Sequence, residues 1–218
     1  MTGEPQIAGA RILLASGNPK KLRELEAMLS PLGIELVSPS DVGGLPEVIE
    51  DRDTFGGNAA KKALSAASAT GLAALADDSG LEVDALDGAP GVRSARFAGE
   101  PCDDERNNDE LLRRLEGVAD DARGARFVCA IALASPTGEL VLEVEGTSTG
   151  RILHERQGDR DFGYDPLFLF TEPGFAQAGR TFAEIAPEEK AEVSHRGRAV
   201  RRAIEALPEV LPRVRGER

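Results

Sequence analysis

Two adjacent carboxylates, Asp77 and Asp78, follow the apolar run Leu72-Ala73-Ala74-Leu75-Ala76 and precede Ser79-Gly80. The pattern predicts a strand over 72–76 and a turn that carries both acids out of it. A serine that can hydrogen-bond its own backbone and a glycine that permits a sharp bend would keep such a turn short and rigid. Paired acids in that place suit metal binding, and the plainer alternative is an Asx-turn that only shapes the chain. Three further clusters accompany them: Ser16-Gly17-Asn18-Pro19-Lys20-Lys21, Phe162-Gly163-Tyr164-Asp165-Pro166 and Ser194-His195-Arg196-Gly197.

The elements around these clusters decide what they can do. Residues 11–15 read as a buried strand, and Leu22, Leu25, Met28 and Leu29 recur at helical spacing after it. Asn18 suits the N-cap and Pro19 the first helical position, where a missing N–H costs nothing. The unpaired N–H groups of that first turn, with Lys20 and Lys21, make a small anion cradle. A second strand over 34–37 leads into a loop over 38–53. A helix then runs from a Thr54 cap to Gly71, with Ala59, Ala63, Leu64 and Ala67 facing a sheet.

Strands are expected over 72–76 and 81–86, followed by a Gly/Pro-marked loop over 88–97. Asp103 or Asp104 can cap the next helix, with Leu111, Leu112 and Leu115 inward. Runs over 125–134 and 139–147 form a hairpin through Ser135-Pro136-Thr137-Gly138, and 150–154 and 167–170 add strands. Val200, Ile204 and Leu207 mark a final helix. The reading is a single mixed α/β domain over 1–218, with an elongated central mixed sheet flanked by helices and two lobes. Residues 1–10 and 212–218 are expected to be flexible ends.

Composition narrows the function. A formal net charge of -12 over 218 residues argues against a nucleic-acid backbone as partner. A small phosphorylated ligand remains compatible, because a few local cations and a metal dominate at short range. No apolar run reaches the roughly 20 residues of a membrane span, and the N-terminus lacks signal-peptide features, so a cytoplasmic protein without membrane partners is expected. Cys102 and Cys129 have no metal-type spacing, and Cys129 reads as a reduced core thiol. His154 lies in a polar run and reads as exposed.

Taken together, the clusters resemble the inosine triphosphate pyrophosphatase family, over residues 11–207. The motifs that carry the resemblance are Ala15 to Lys21; Thr54-Phe55 with Asn58-Ala59 and Lys62-Ala63; Ala76 to Leu81; Gly88-Ala89-Pro90-Gly91 with Ser94-Ala95-Arg96; Phe162 to Pro166; and Glu189-Lys190 with Ser194 to Gly197. The resemblance implies a homodimer whose protomers hold a purine nucleoside triphosphate in an active-site cleft between two lobes. It implies hydrolysis of ITP, dITP and XTP between the α- and β-phosphates, to the monophosphate and pyrophosphate, with Mg²⁺ as cofactor. Asp78 is then the proton acceptor and a metal ligand, and Glu50 the second metal ligand. The expected substrate-binding residues are Ser16, Gly17, Asn18, Pro19, Lys20, Lys21, Lys62, Ser79, Phe162, Gly163, Tyr164, Asp165, Lys190, His195 and Arg196.

The chemistry agrees with that assignment. A triphosphate carries about four negative charges and needs a metal and cations such as Lys21 and Lys62 to hold it. Hypoxanthine and xanthine present a keto oxygen at C6, which donors such as His195 and Arg196 would favour over the adenine amine. Phe162 suits stacking on the base, and Asp165 suits shaping or contacting the base pocket. The chain departs from the family at Gly57, where a glutamate commonly precedes the asparagine. Two other readings stay open: a Maf-type pyrimidine nucleotide pyrophosphatase, against which the clusters at 162–166 and 194–197 speak, and a binder that does not hydrolyse. A pure binder would gain nothing from a second acid facing a polyanion.

Overall fold

The computed structural model describes residues 9–160 and 162–216, apart from the side chains of Pro19, Lys20 and Leu32. Its strands form one sheet in the order β2-β1-β3-β4-β5-β6. They are β1 (Arg11–Leu14), β2 (Glu35–Val37), β3 (Ala73–Val83), β4 (Gly124–Ala134), β5 (Leu140–Ile152) and β6 (Phe168–Phe170). The sheet is mixed, because β1 pairs in parallel with both β2 and β3 while β5 and β6 are antiparallel. The helices are α1 (Pro19–Leu29), α2 (Phe55–Thr70), α3 (Asp104–Arg114), α4 (Pro187–Val193) and α5 (His195–Val214).

The chain divides into two compact units. The first comprises Met1–Asp78, Ala130–Glu145 and Ala199–Arg218; the second comprises Ser79–Cys129 and Gly146–Arg198. In the first, α2 begins where Thr54 Oγ1 accepts the Gly57 N–H at 3.1 Å and stops at Gly71, whose φ of 67° favours glycine. Its small face, Ala59, Ala63 and Ala67, is fully buried, as its spacing predicts. The second unit centres on aromatic packing: Phe127 and Phe168 lie 4.6 Å apart between ring centroids, and Phe168 and Phe182 lie 5.0 Å apart. Asp103 caps α3 by accepting the Arg106 N–H at 2.8 Å.

One local expectation fails where it matters. Asp77 to Gly80 do not form a turn between two strands; β3 runs unbroken from Ala73 to Val83. Aspartate and glycine disfavour strands through local propensity, but Asp77 and Asp78 are both buried and their carboxylates have partners on helices. With each carboxylate so paired, the ladder continues to Leu81 and Val83, which are fully buried. Residues 150–152 likewise extend β5 rather than adding a strand.

Ala10 is fully buried, and α5 continues to Val214 because Leu211 and Val214 bury on the stripe begun by Leu207. Residues 1–8 and 217–218 lie outside the described residues.

Gly56 and Gly57 differ in consequence. A Cβ added at Gly56 meets nothing within 4 Å, whereas one at Gly57 comes to 3.0 Å from both Arg52 Cβ and Thr54 Oγ1. Gly56→Ala is therefore expected to stabilise by about 0.4–1 kcal/mol, raising Tm by roughly 1–4 °C. Gly57→Ala gains less or nothing, because Arg52 and the cap must give way. Equal gains in thermal unfolding would contradict this account.

Candidate active site

The acids lie where parallel strands end. Leu14 pairs with Leu75, so the loop leaving β1 lies beside the residues that follow Leu75 in β3. Loops at the carboxyl ends of parallel strands are the usual ligand sites of such sheets. In that loop Ser16 Oγ accepts the Asn18 N–H at 3.2 Å, and Asn18 Oδ1 accepts the Lys21 N–H at 3.3 Å. Asn18 thereby caps α1, and the Lys21 ammonium reaches β3. The side chains of Pro19 and Lys20 lie outside the described residues.

Successive strand residues point to opposite faces, and the two acids accordingly engage different helices. Asp77, with a fully buried side chain, takes Lys21 Nζ of α1 at 3.1 Å. Asp78 takes two groups from α2: Asn58 Nδ2 donates to Oδ2 at 3.1 Å, and Lys62 Nζ lies 3.5 Å from Oδ1. Lys62 also donates to Glu50 Oε1 at 2.8 Å, so Glu50 and Asp78 share one ammonium.

Burial lifts the Asp78 carboxyl above the usual carboxylate range; Lys62 opposes that rise and Glu50 adds to it. Burial works against the Lys62 charge, but Asp78 and Glu50 outweigh it and hold the ammonium above its ordinary value. Of this group Lys62 lines a pocket of about 310 Å³, together with Ser16, Gly17, Leu45, Pro46 and Val48. Asn58 is the residue of this group with no assigned role in the sequence reading. Its signal is the spacing: Asn58 and Lys62 stand one turn apart on α2 and reach the same carboxylate.

The second unit gathers a different set. Asp165 is ion-paired with Lys190, and both side chains are largely buried. The Phe162 ring is half-buried, with Lys190 Nζ at 4.9 Å and Arg196 Cζ at 5.8 Å from its centroid. Arg196 also donates to Ser79 Oγ at 3.0 Å, tying it to the residue that follows Asp78 in β3.

Two expected substrate contacts are built into the core. Tyr164 is buried and its hydroxyl donates to Ser94 O at 2.8 Å. His195 is buried with its ring stacked on Phe127 at 4.7 Å. His154 is exposed, as expected, and meets Asp120 at 2.5 Å.

Paired acids beside lysines and a capped helix start suit phosphate chemistry; an aromatic ring flanked by cations suits a heterocycle. Comparison with known proteins shows the family. The Ham1 family model matches residues 12–206. A relative from Desulforamulus reducens, named dITP/XTP pyrophosphatase, is 53% identical over 197 residues, covering 90% of this chain and 95% of its own. One of the same name from Exiguobacterium sp. is 52% identical, covering 94% of this chain and 100% of its own. The solved HAM1 protein of Coxiella burnetii superposes with a TM-score of 0.81 at 40% identity, covering 91% of this chain and 98% of that one. Sequence and backbone match along nearly the whole length of both partners, and the chain belongs to the Ham1 family.

Proposed function

We propose that this protein hydrolyses nonstandard purine nucleoside triphosphates, dITP, XTP and ITP, releasing the monophosphate and pyrophosphate. The observation that carries the reading is the buried Asp78 carboxylate, held by Asn58 and Lys62 on one face of α2, in a chain about half identical to proteins named for this reaction. Asp78 accepts the proton of the attacking water, and Asn58 fixes the orientation of its carboxylate. Lys21 and Lys62 hold phosphate oxygens. Phe162 stacks on the base, and Lys190 and Arg196 supply donors that the 6-keto group of hypoxanthine or xanthine accepts. Adenine leaves those donors unpaired, a mismatch worth up to about 10⁴-fold in selectivity.

The residues fit Mg²⁺. Glu50 and Asp78 are two carboxylates drawn to one ammonium, and Mg²⁺ takes one or two carboxylates and leaves its other positions to water and phosphate. Among the described residues no group of three His, Cys, Asp or Glu side chains is placed to hold a metal. Bound there, Mg²⁺ neutralises phosphate charge and makes water easier to deprotonate. Glu50→Gln is expected to raise the Mg²⁺ concentration for half-maximal rate at least about tenfold. An unchanged metal titration removes Glu50 from the ligand set. The assembly that goes with this reading is a homodimer, checked by light scattering. No described helix is long and apolar enough to cross a membrane.

The test is pyrophosphate release from ITP, XTP, dITP, GTP, ATP and dTTP at equal concentration, with Mg²⁺ and with chelator. Metal-dependent turnover led by the inosine and xanthine nucleotides supports the proposal. Tight ITP binding without turnover would make the protein a sensor, and turnover led by dTTP would make the base assignment wrong.

A further inference from the structure

Helix α3 holds one residue of the Phe162 loop from both sides. Asp104 Oδ2 accepts the Gly163 N–H at 3.0 Å, and Asn108 Nδ2 donates to the Gly163 carbonyl at 2.9 Å. The two side chains stand four residues apart and so share one face of the helix. Between them, Gly163 has a φ of 55°, a left-handed conformation that only glycine adopts readily. Both peptide groups of a conformationally free residue are thus fixed, and the residue before it is Phe162.

The helix is itself a rigid anchor, since Leu111 is fully buried on it. Asn108 is also fully buried, and its Oδ1 has no hydrogen-bond partner among the described residues. The bond to Gly163 is therefore what accounts for an amide there; an apolar side chain would serve packing better. Beyond Gly163 the loop is tied again, by Tyr164 to Ser94 O and by Asp165 to Lys190.

We propose that Asp104 and Asn108 are positioning residues for base recognition: they clamp Gly163 and thereby hold the Phe162 ring, with Lys190 and Arg196 beside it, in the geometry that receives the purine. The inference rests on the functional reading above. Neither residue touches the phosphate group of the site, so their loss should weaken only ligands that carry a base.

The experiment measures binding of IMP and of inorganic pyrophosphate, each with Mg²⁺, by calorimetry, and the steady-state constants for dITP. The variants are Asn108→Ala, Asp104→Ala and Asp104→Asn. Loss of one such hydrogen bond corresponds to about tenfold. IMP affinity and 1/KM are expected to fall by about that factor in both alanine variants, with pyrophosphate affinity and kcat held within about threefold. Asp104→Asn keeps an acceptor oxygen and should restore wild-type IMP binding. Asp104 is exposed, so Asp104→Ala decides the matter even if Asn108→Ala does not fold.

Equal losses for IMP and pyrophosphate, or no loss for either, would overturn the clamp. Failure of the functional reading is separable, because wild-type protein would then release no pyrophosphate from dITP or XTP.

Discussion

Asp78→Asn is expected to lower kcat for dITP at least about 100-fold, and up to about 10⁴-fold, while nucleotide still binds. The substitution is nearly isosteric and keeps an oxygen to accept from Asn58 Nδ2, so the strand and α2 stay in register. What it removes is the carboxylate that, on the proposed function, takes a proton from water. Lys62 retains Glu50 as a partner at 2.8 Å, which limits the structural cost. A Tm within about 4 °C of wild type, or about 1 kcal/mol for a chain of this size, would show that the fold survives. Loss of nucleotide binding in parallel with turnover would show that Asp78 organises the site instead of acting in the proton transfer.

Arg123→Ala is expected to destabilise the protein by about 3–5 kcal/mol, lowering Tm by roughly 10 °C. Arg123 is 1% exposed, and its guanidinium donates to three backbone carbonyls: Ile152 at 2.8 Å, Leu115 at 2.9 Å and Leu153 at 2.8 Å. It staples Leu115, just after α3, to Ile152 at the end of β5 and to Leu153 beyond it. Alanine leaves those acceptors short of a donor, at about 1–3 kcal/mol each before water relieves some of the loss, and opens a cavity beside Leu115. Arg123→Lys should recover only part, because an ammonium cannot span three acceptors arranged for a planar fork. Thermal unfolding of the two variants measures the effect, and a loss under about 1 kcal/mol for alanine would show the staple to be dispensable. The staple also bears on base recognition, since α3 carries Asp104 and Asn108.

Asp77 and Asp78 illustrate how far local sequence carries. The proposed chemistry rests on residue type and the neighbouring motifs, and the flanking elements were legible too: the Thr54 cap, the alanine face of α2, the hairpin at 135–138 and the Asn18 helix start. Each of these depends on contacts within a few residues or on a periodicity that burial must follow. The turn expected at Asp77 was wrong because its warrant was local propensity, and propensity yields when distant residues satisfy the groups that made it unfavourable. Lys21 and Asp77 are 56 positions apart, and Lys62 and Asp78 are 16 apart. No window along the chain contains the first pair.

The same limit hid the roles of Asn58, Asp104, Asn108 and Arg123. Asn58 bonds across 20 positions, Asn108 across 55, Asp104 across 59 and Arg123 across 30. In sequence Asn58 is a motif residue without a partner in view, Asp104 a candidate helix cap, and Asn108 and Arg123 carry no signal. It was residue types and their order that determined the class of chemistry, the family and the order of elements. Tertiary structure decided which polar side chains meet, because hydrogen bonds and ion pairs form only within a few ångströms and the sheet register sets those distances.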